Sequence, residues 1–174
     1  AARRAGVGGR QTGSGSLFLL HHWERARMMP PPVEILLVED NPADLELTMH
    51  VFKVHNLAHR VHVVRDGAEA IDFLFASGAN GIRTAAEGPK VILLDLKLPK
   101  IDGLQVLRRI KAHERLRTVP VVMLTSSQEE SDIVQSYQLG VNSYIVKPVD
   151  FDRFADAVRQ LGGYWLLLNQ APVQ

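Results

Sequence analysis

Asp95 directly follows the apolar run Val91-Ile92-Leu93-Leu94, and Glu39-Asp40 follow Ile35-Leu36-Leu37-Val38 in the same way. Short, unbroken apolar runs read as strands buried on both faces, the pattern of central strands in a parallel sheet. Ligand chemistry in such sheets gathers at the carboxyl ends of the strands. Two strand ends therefore deliver three carboxylates to one place. Crowded carboxylates repel and raise one another's pKa unless a cation sits among them. An all-oxygen donor set at a partly hydrated site suits Mg2+, which takes one or two carboxylates with waters and phosphate oxygens. Taken singly, Asp40 could cap the following helix and Asp95 could begin a turn; the matched pair argues for a cation site.

Two further strand-like runs end in polar residues. The run from Val119 to Leu124 ends in Thr125, and Ser143-Tyr144-Ile145-Val146 ends in Lys147-Pro148. Four strands thus terminate in an acid pair, an acid, a hydroxyl and an amine. In order and spacing, Glu39-Asp40, Asp95, Thr125 and Lys147-Pro148 resemble the receiver domain of two-component response regulators, over residues 33 to 168. Each motif alone is weak; their order and shared strand-end context carry the resemblance. Asn56-Leu57-Ala58-His59-Arg60, the stretch from Leu139 to Phe151, and Tyr164-Trp165 look like the single-domain regulators that serve bacterial phytochrome-type histidine kinases.

The resemblance implies a phosphorylation-activated response regulator, a signalling protein and not an enzyme, whose partner is a sensor histidine kinase of phytochrome type. Asp95 would accept the phosphoryl group from a phosphohistidine. Asp40 and Asp95 would ligate Mg2+ directly, Glu39 through bound water, and the backbone carbonyl of Lys97 would complete the protein's share. Lys147 would supply positive charge to a phosphoryl oxygen, with a cis peptide bond to Pro148. The Thr125 hydroxyl would bond a phosphoryl oxygen and draw its loop inward, and Tyr144 would rotate into the space behind it. The readout would be the surface of the fourth helix, fifth strand and fifth helix. The Lys97 side chain sits where receivers modulate phosphoryl lifetime. The implied fold is flavodoxin-like, with strand order 2-1-3-4-5.

Two rival functions are weaker. A magnesium-dependent phosphohydrolase with an aspartyl nucleophile would place a second Asp two residues after the first, where this chain has Lys97, and would need a cap insertion. A phosphate-independent receiver-like binding module would have lost the nucleophile, an acid or the lysine, and all are present. His55 and His59 stand at helical spacing, but the helix is expected to stop before His59, which argues against a transition-metal site.

The elements that must position these residues follow from periodicity. Asn41-Pro42 offers a cap and a first-turn proline, and Leu45, Met49 and Phe52 fall on one helical face, with Lys53 toward solvent. Val61, Val63 and Val64 form a second strand. Asp66-Gly67 turns into a helix with Ala70, Ile71, Leu74 and Phe75 inward. Residues 77–89 read as a loop. Asp102-Gly103 opens a third helix, with Leu104, Leu107 and Ile110 inward and Arg108, Arg109 and Lys111 outward. Glu129-Glu130 lies at the start of a fourth, where acids favour the helix dipole. Asp150 caps a fifth, which carries Phe151, Phe154, Val158 and Leu161. Strands alternating with helices imply a doubly wound α/β protein, its five-stranded parallel sheet covered on both faces.

With 174 residues, 46% of them hydrophobic, the chain can build one full core. Its net charge of +1 gives no reason to expect nucleic acid as a partner, and the absence of cysteine excludes thiolate chemistry and disulfides. No apolar run reaches membrane-spanning length, so a cytoplasmic location without membrane attachment is expected. The basic, Gly/Ser-containing segment 1–32 reads as a flexible leader, with Met28 or Met29 as the expected natural start and the preceding residues as a start-site artefact. The receiver-like domain is expected over 33–174, with no room after Lys147 for a DNA-binding domain. Its apolar end, Trp165 to Leu168, either folds back on the core or forms a homodimer interface, and the dimer is the expectation.

Overall fold

A computed structural model describes residues 33–75, 88–147 and 150–168. Five strands, β1 (Ile35–Val38), β2 (Val61–Val64), β3 (Val91–Leu94), β4 (Val121–Thr125) and β5 (Ser143–Val146), form one parallel sheet in the order β2-β1-β3-β4-β5. The helices between and after them are α1 (Pro42–Val54), α2 (Gly67–Phe75), α3 (Gly103–Ala112), α4 (Glu130–Gln138) and α5 (Phe151–Gly163). The doubly wound α/β architecture and strand order expected from sequence are both present.

Alternation along the strands sorts the core into two layers. Ile35, Leu37, Val91, Leu93, Val122 and Leu124 pack with Leu45, Val51 and Phe52 of α1 and Phe154 and Val158 of α5. Leu36, Val38, Ile92, Leu94, Val121 and Met123 pack with Ala70 and Leu74 of α2 and Val106, Leu107 and Ile110 of α3. Successive residues of a strand point to opposite faces. The unbroken apolar runs are therefore what a sheet covered twice demands.

Helix starts follow local chemistry. The Asn41 side-chain oxygen accepts from the Ala43 and Asp44 amides at 2.9 and 3.4 Å, Asp102 Oδ1 from Gln105 at 2.8 Å, and Asp150 Oδ1 from Arg153 at 3.0 Å. Each satisfies amides that the first helical turn leaves unpaired. Helix α1 stops at Val54 with His55 as its C-cap, so His59 lies beyond it, in a short 3-10 turn.

Two inward faces differ in detail from the periodicity reading. In α1, Thr48 and Val51 are buried while Met49 is only half-buried. The Thr48 hydroxyl donates back to the Asp44 carbonyl at 2.8 Å, which satisfies it in the core. In α3, Lys111 does not face solvent with Arg108 and Arg109. Its half-buried amine donates to the carbonyls of Arg117 and Val119 and to Asn142 Oδ1, at 3.1–3.2 Å, and burial lowers its pKa. Asn142 also accepts from the Val121 amide, so this lysine ties α3 to the entry of β4 and β5.

Of the two arrangements considered for the chain end, packing on the core is present in part. Tyr164–Leu168 continues α5 as a π-helical turn, in which Leu166 is buried and Trp165 packs beside it, while Tyr164 and Leu168 stay exposed. Phe151's side chain, Leu167's side chain, the 1–32 leader and most of the 77–89 loop lie outside the described residues.

Candidate functional site

The strand register places the chemical residues together. Val38 pairs with Leu94, so Glu39-Asp40 and Asp95 leave the sheet side by side, and the Asp95 amide donates to the Val38 carbonyl at 3.0 Å. Thr125 pairs with Val146, and the Lys147 amide donates to the Thr125 carbonyl at 2.7 Å. All of these residues emerge at the carboxyl edge, where a doubly wound sheet opens its ligand crevice.

At the centre, the Lys147 amine reaches three carboxylates: Glu39 Oε2 at 2.6 Å, Asp44 Oδ2 at 2.8 Å and Asp95 Oδ2 at 2.9 Å. An ammonium has three donors, and all three are used. The Lys147 and Asp95 side chains are each 8% exposed and the Glu39 side chain 1%. Burial would lower the Lys147 pKa, but hydrogen bonds and charge from the three acids hold it above the ordinary lysine range. Burial pushes Glu39 up to about 7; Lys147 opposes the shift and the Asp95 charge adds to it. The second Glu39 oxygen accepts from the Asn41 amide at 3.2 Å.

Asp95 is held by its own loop. Its Oδ1 accepts from the Leu96 amide at 2.6 Å and from the Lys97 amide at 3.4 Å. Gly103 lets α3 approach this loop: its amide donates to the Leu96 carbonyl at 2.8 Å, and a Cβ there would overlap the Asp95 carbonyl oxygen. From the other side Lys100, at φ +65, sends its amine to Asp66 Oδ2 at 2.5 Å, clasping the β3–α3 loop to the start of α2.

The donor set fits a hard divalent cation. Glu39, Asp40 and Asp95 each present an oxygen within 4.8 Å of the others, two from buried side chains and one from the exposed Asp40. Asn41, rather than Asp40, caps α1, which leaves the Asp40 carboxylate available. The Lys97 side chain is exposed.

Thr125 is fully buried, and its hydroxyl oxygen accepts from the Ser127 amide at 3.2 Å. The Tyr144 hydroxyl donates to the Ser127 carbonyl at 3.1 Å, and the Ser127 hydroxyl donates to Asp132 of α4 at 2.6 Å. Burial raises the Tyr144 pKa, and the nearby Asp132 and Asp95 charges add to the effect. Ser127 thus joins the β4 hydroxyl, the β5 aromatic ring and the fourth helix through one loop. Pro148 and its peptide bond lie outside the described residues.

Sequence reasoning missed Asp44 and the linking role of Ser127. The available signal for Asp44 was an acid in the first turn of the helix that Asn41-Pro42 opens beside the acid pair. Ser127 carried no comparable signal, because its partners come from three different elements.

Comparison with known proteins agrees with this geometry. Residues 35–159 match the family described as Response regulator receiver domain. The chain is 42% identical over 141 residues to the probable methanogenesis regulatory protein FilR2 of Methanothrix harundinacea, covering 81% of this chain and 88% of that protein. It is 41% identical over 138 residues to response regulator Rcp1 of Synechocystis, covering 78% and 90%. The crystal structure of the Mn2+-bound form of Rcp1 superposes with a TM-score of 0.72 at 40% identity, over 82% of this chain and all of that one. The bacteriophytochrome response regulator RtBRR is 54% identical, over 81% of this chain and 84% of its own, with a TM-score of 0.61. With strand order, clustered acids and a sequence match over most of its length, the chain belongs to the response regulator receiver family, whose members are phosphorylation-activated signalling modules that bind divalent metal.

Proposed function

We propose that Asp95 is the phosphoacceptor of this receiver, loaded by a sensor histidine kinase. The observation that carries the reading is the Lys147 amine at 2.9 Å from Asp95 Oδ2, beside the acid cluster of Glu39, Asp40 and Asp95. An Asp95 oxygen forms a bond to phosphorus as the phosphorus–nitrogen bond of phosphohistidine breaks, and the bonding pair stays on the imidazole. Mg2+, held by Glu39, Asp40, Asp95 and the Lys97 carbonyl, would neutralise charge on the phosphoryl oxygens. The amides of Leu96 and Lys97 fix the carboxylate for attack. Lys147 then pairs with a phosphoryl oxygen. A compact ammonium suits that role.

Thr125 supplies the hydroxyl that senses the modification. Donation to a phosphoryl oxygen draws its loop toward Asp95, and Ser127 carries the movement to Tyr144 and α4 because it bonds both. The output is a change in protein contacts in the cytoplasm. The kinase is proposed to be of phytochrome type, supported by the likeness to RtBRR and to a phosphorylated cyanobacterial phytochrome response regulator, RcpA, at 39% identity. Homodimerisation is supported by exposed Val134, Tyr137, Tyr164 and Leu168, apolar area of the kind partners cover.

Intact mass after incubation with acetyl phosphate and Mg2+ tests the phosphoacceptor. One added phosphoryl group is expected, absent from Asp95→Asn and from a chelator control; an adduct that survives in Asp95→Asn refutes the assignment. Sedimentation tests the dimer, and a monomer at high concentration with and without phosphorylation removes it.

A further inference from the structure

We propose that Asp44 is a positioning residue that competes with the phosphoryl group for Lys147, and so sets how readily the phosphorylated state forms and persists. The inference rests on the assignment of Asp95 as phosphoacceptor. Its basis is the donor count at Lys147: three N–H groups and three carboxylate partners, at 2.6, 2.8 and 2.9 Å. Modification of Asp95 frees one donor for one phosphoryl oxygen, and a second phosphoryl oxygen can be paired only if Glu39 or Asp44 is released.

Exposure decides which partner leaves. The Glu39 side chain is 1% exposed and cannot replace the lysine's hydrogen bond with one to water. The bond to Asp95 is the one that modification exchanges for a phosphoryl oxygen. The Asp44 side chain is 32% exposed and can exchange the lysine for water at small cost. Its backbone does not need to move for this, because Asn41 Oδ1 and the helical bonds of α1 hold it in place.

Asp44 therefore acts as a local substitute for the phosphoryl group. It occupies the third donor of Lys147 in the unmodified protein and returns to it when the phosphoryl group leaves. Removing it frees that donor in advance, so the modified state gains relative to the unmodified one.

Beryllofluoride, which mimics a phosphoryl group on a carboxylate, reads this without turnover. Its affinity would be measured by calorimetry at saturating Mg2+ for the wild-type chain, Asp44→Ala, Asp44→Asn, Lys147→Gln and the Asp44→Ala/Lys147→Gln pair. Asp44→Ala is expected to tighten binding roughly three- to tenfold, the range given by one ordinary net hydrogen bond at a partly solvated site. Asp44→Asn, which keeps size and an acceptor without the charge, falls between and carries the test if the alanine variant does not fold. In the Lys147→Gln background the Asp44→Ala effect should vanish.

Unchanged or weaker binding in Asp44→Ala and Asp44→Asn overturns the inference. Tightening that persists in full without Lys147 also overturns it, because the effect is then general charge repulsion. Failure of the wild-type chain to bind beryllofluoride would instead overturn the phosphoacceptor assignment, and the inference with it.

Discussion

Gly103→Ala is the sharpest test of how the fold positions Asp95. A Cβ at this position would overlap the Asp95 carbonyl oxygen and lie 2.8 Å from Leu96 Cα and 3.0 Å from the Asp95 carbonyl carbon. These are backbone atoms of the loop that carries the proposed nucleophile, so no rotamer change relieves the clash. Either α3 or the loop must shift. Overpacking of this kind costs roughly 1–3 kcal/mol, against a helix-propensity gain of at most about 0.5–1 kcal/mol for Gly to Ala. A net loss of about 1 kcal/mol would lower the urea midpoint by roughly 0.5 M at a slope of about 2 kcal/mol/M. The shift should also move Asp95 away from Glu39 and Lys147. A misplacement of about 1 Å can cost on the order of 100-fold in rate, and the rate of phosphorylation by acetyl phosphate would report it. Gly163→Ala is the internal control: nothing lies within 4 Å of an added Cβ there, so its midpoint should stay level or rise. A Gly103→Ala protein as stable as wild type, with an unchanged phosphorylation rate, would refute the reasoning.

Two further outcomes follow from the buried charges. Glu34, paired with Arg60 at 2.5 Å and Lys90 at 2.6 Å, has a pKa held below its usual value because those cations outweigh the burial that would raise it. Its contribution is present above the unfolded-state pKa and is lost as pH falls through the depressed folded value. Glu34→Gln should therefore cost roughly 1–2 kcal/mol at neutral pH, and the gap in urea midpoint should close in acid; a gap that stays constant from pH 7 to pH 3 counts against this. Lys147→Met leaves three acids without their shared cation and should cost about 3–5 kcal/mol in chelator. Mg2+ should recover more stability in this variant than in wild type, and thermal melts in which the metal helps both equally would contradict that.

How much of this was legible in the chain depends on the range of the interaction. The strands β1 and β3 were readable because a strand covered on both faces must be apolar at every position, and Asn41, Asp102 and Asp150 were readable as caps because capping spans three residues. The inward faces of α1 and α3 were less so. Lys111 looks like a solvent residue by type, and only the carbonyls of Arg117 and Val119 and the side-chain oxygen of Asn142 give its amine a reason to turn in.

By itself, the sequence determined which residue types end each strand: acids suited to a cation, and an amine and a hydroxyl to which the family resemblance gives the proposed phosphoryl roles. Tertiary structure alone decided how they are paired. Lys147 meets Glu39, Asp44 and Asp95 from far along the chain because parallel register brings β1, β3 and β5 to one edge. The choice of Asp44 as the lysine's third partner, and of Ser127 as the link to Tyr144, rests on distances of a few ångströms. No local pattern encodes such distances, because they are set by how helices and loops pack across the finished sheet.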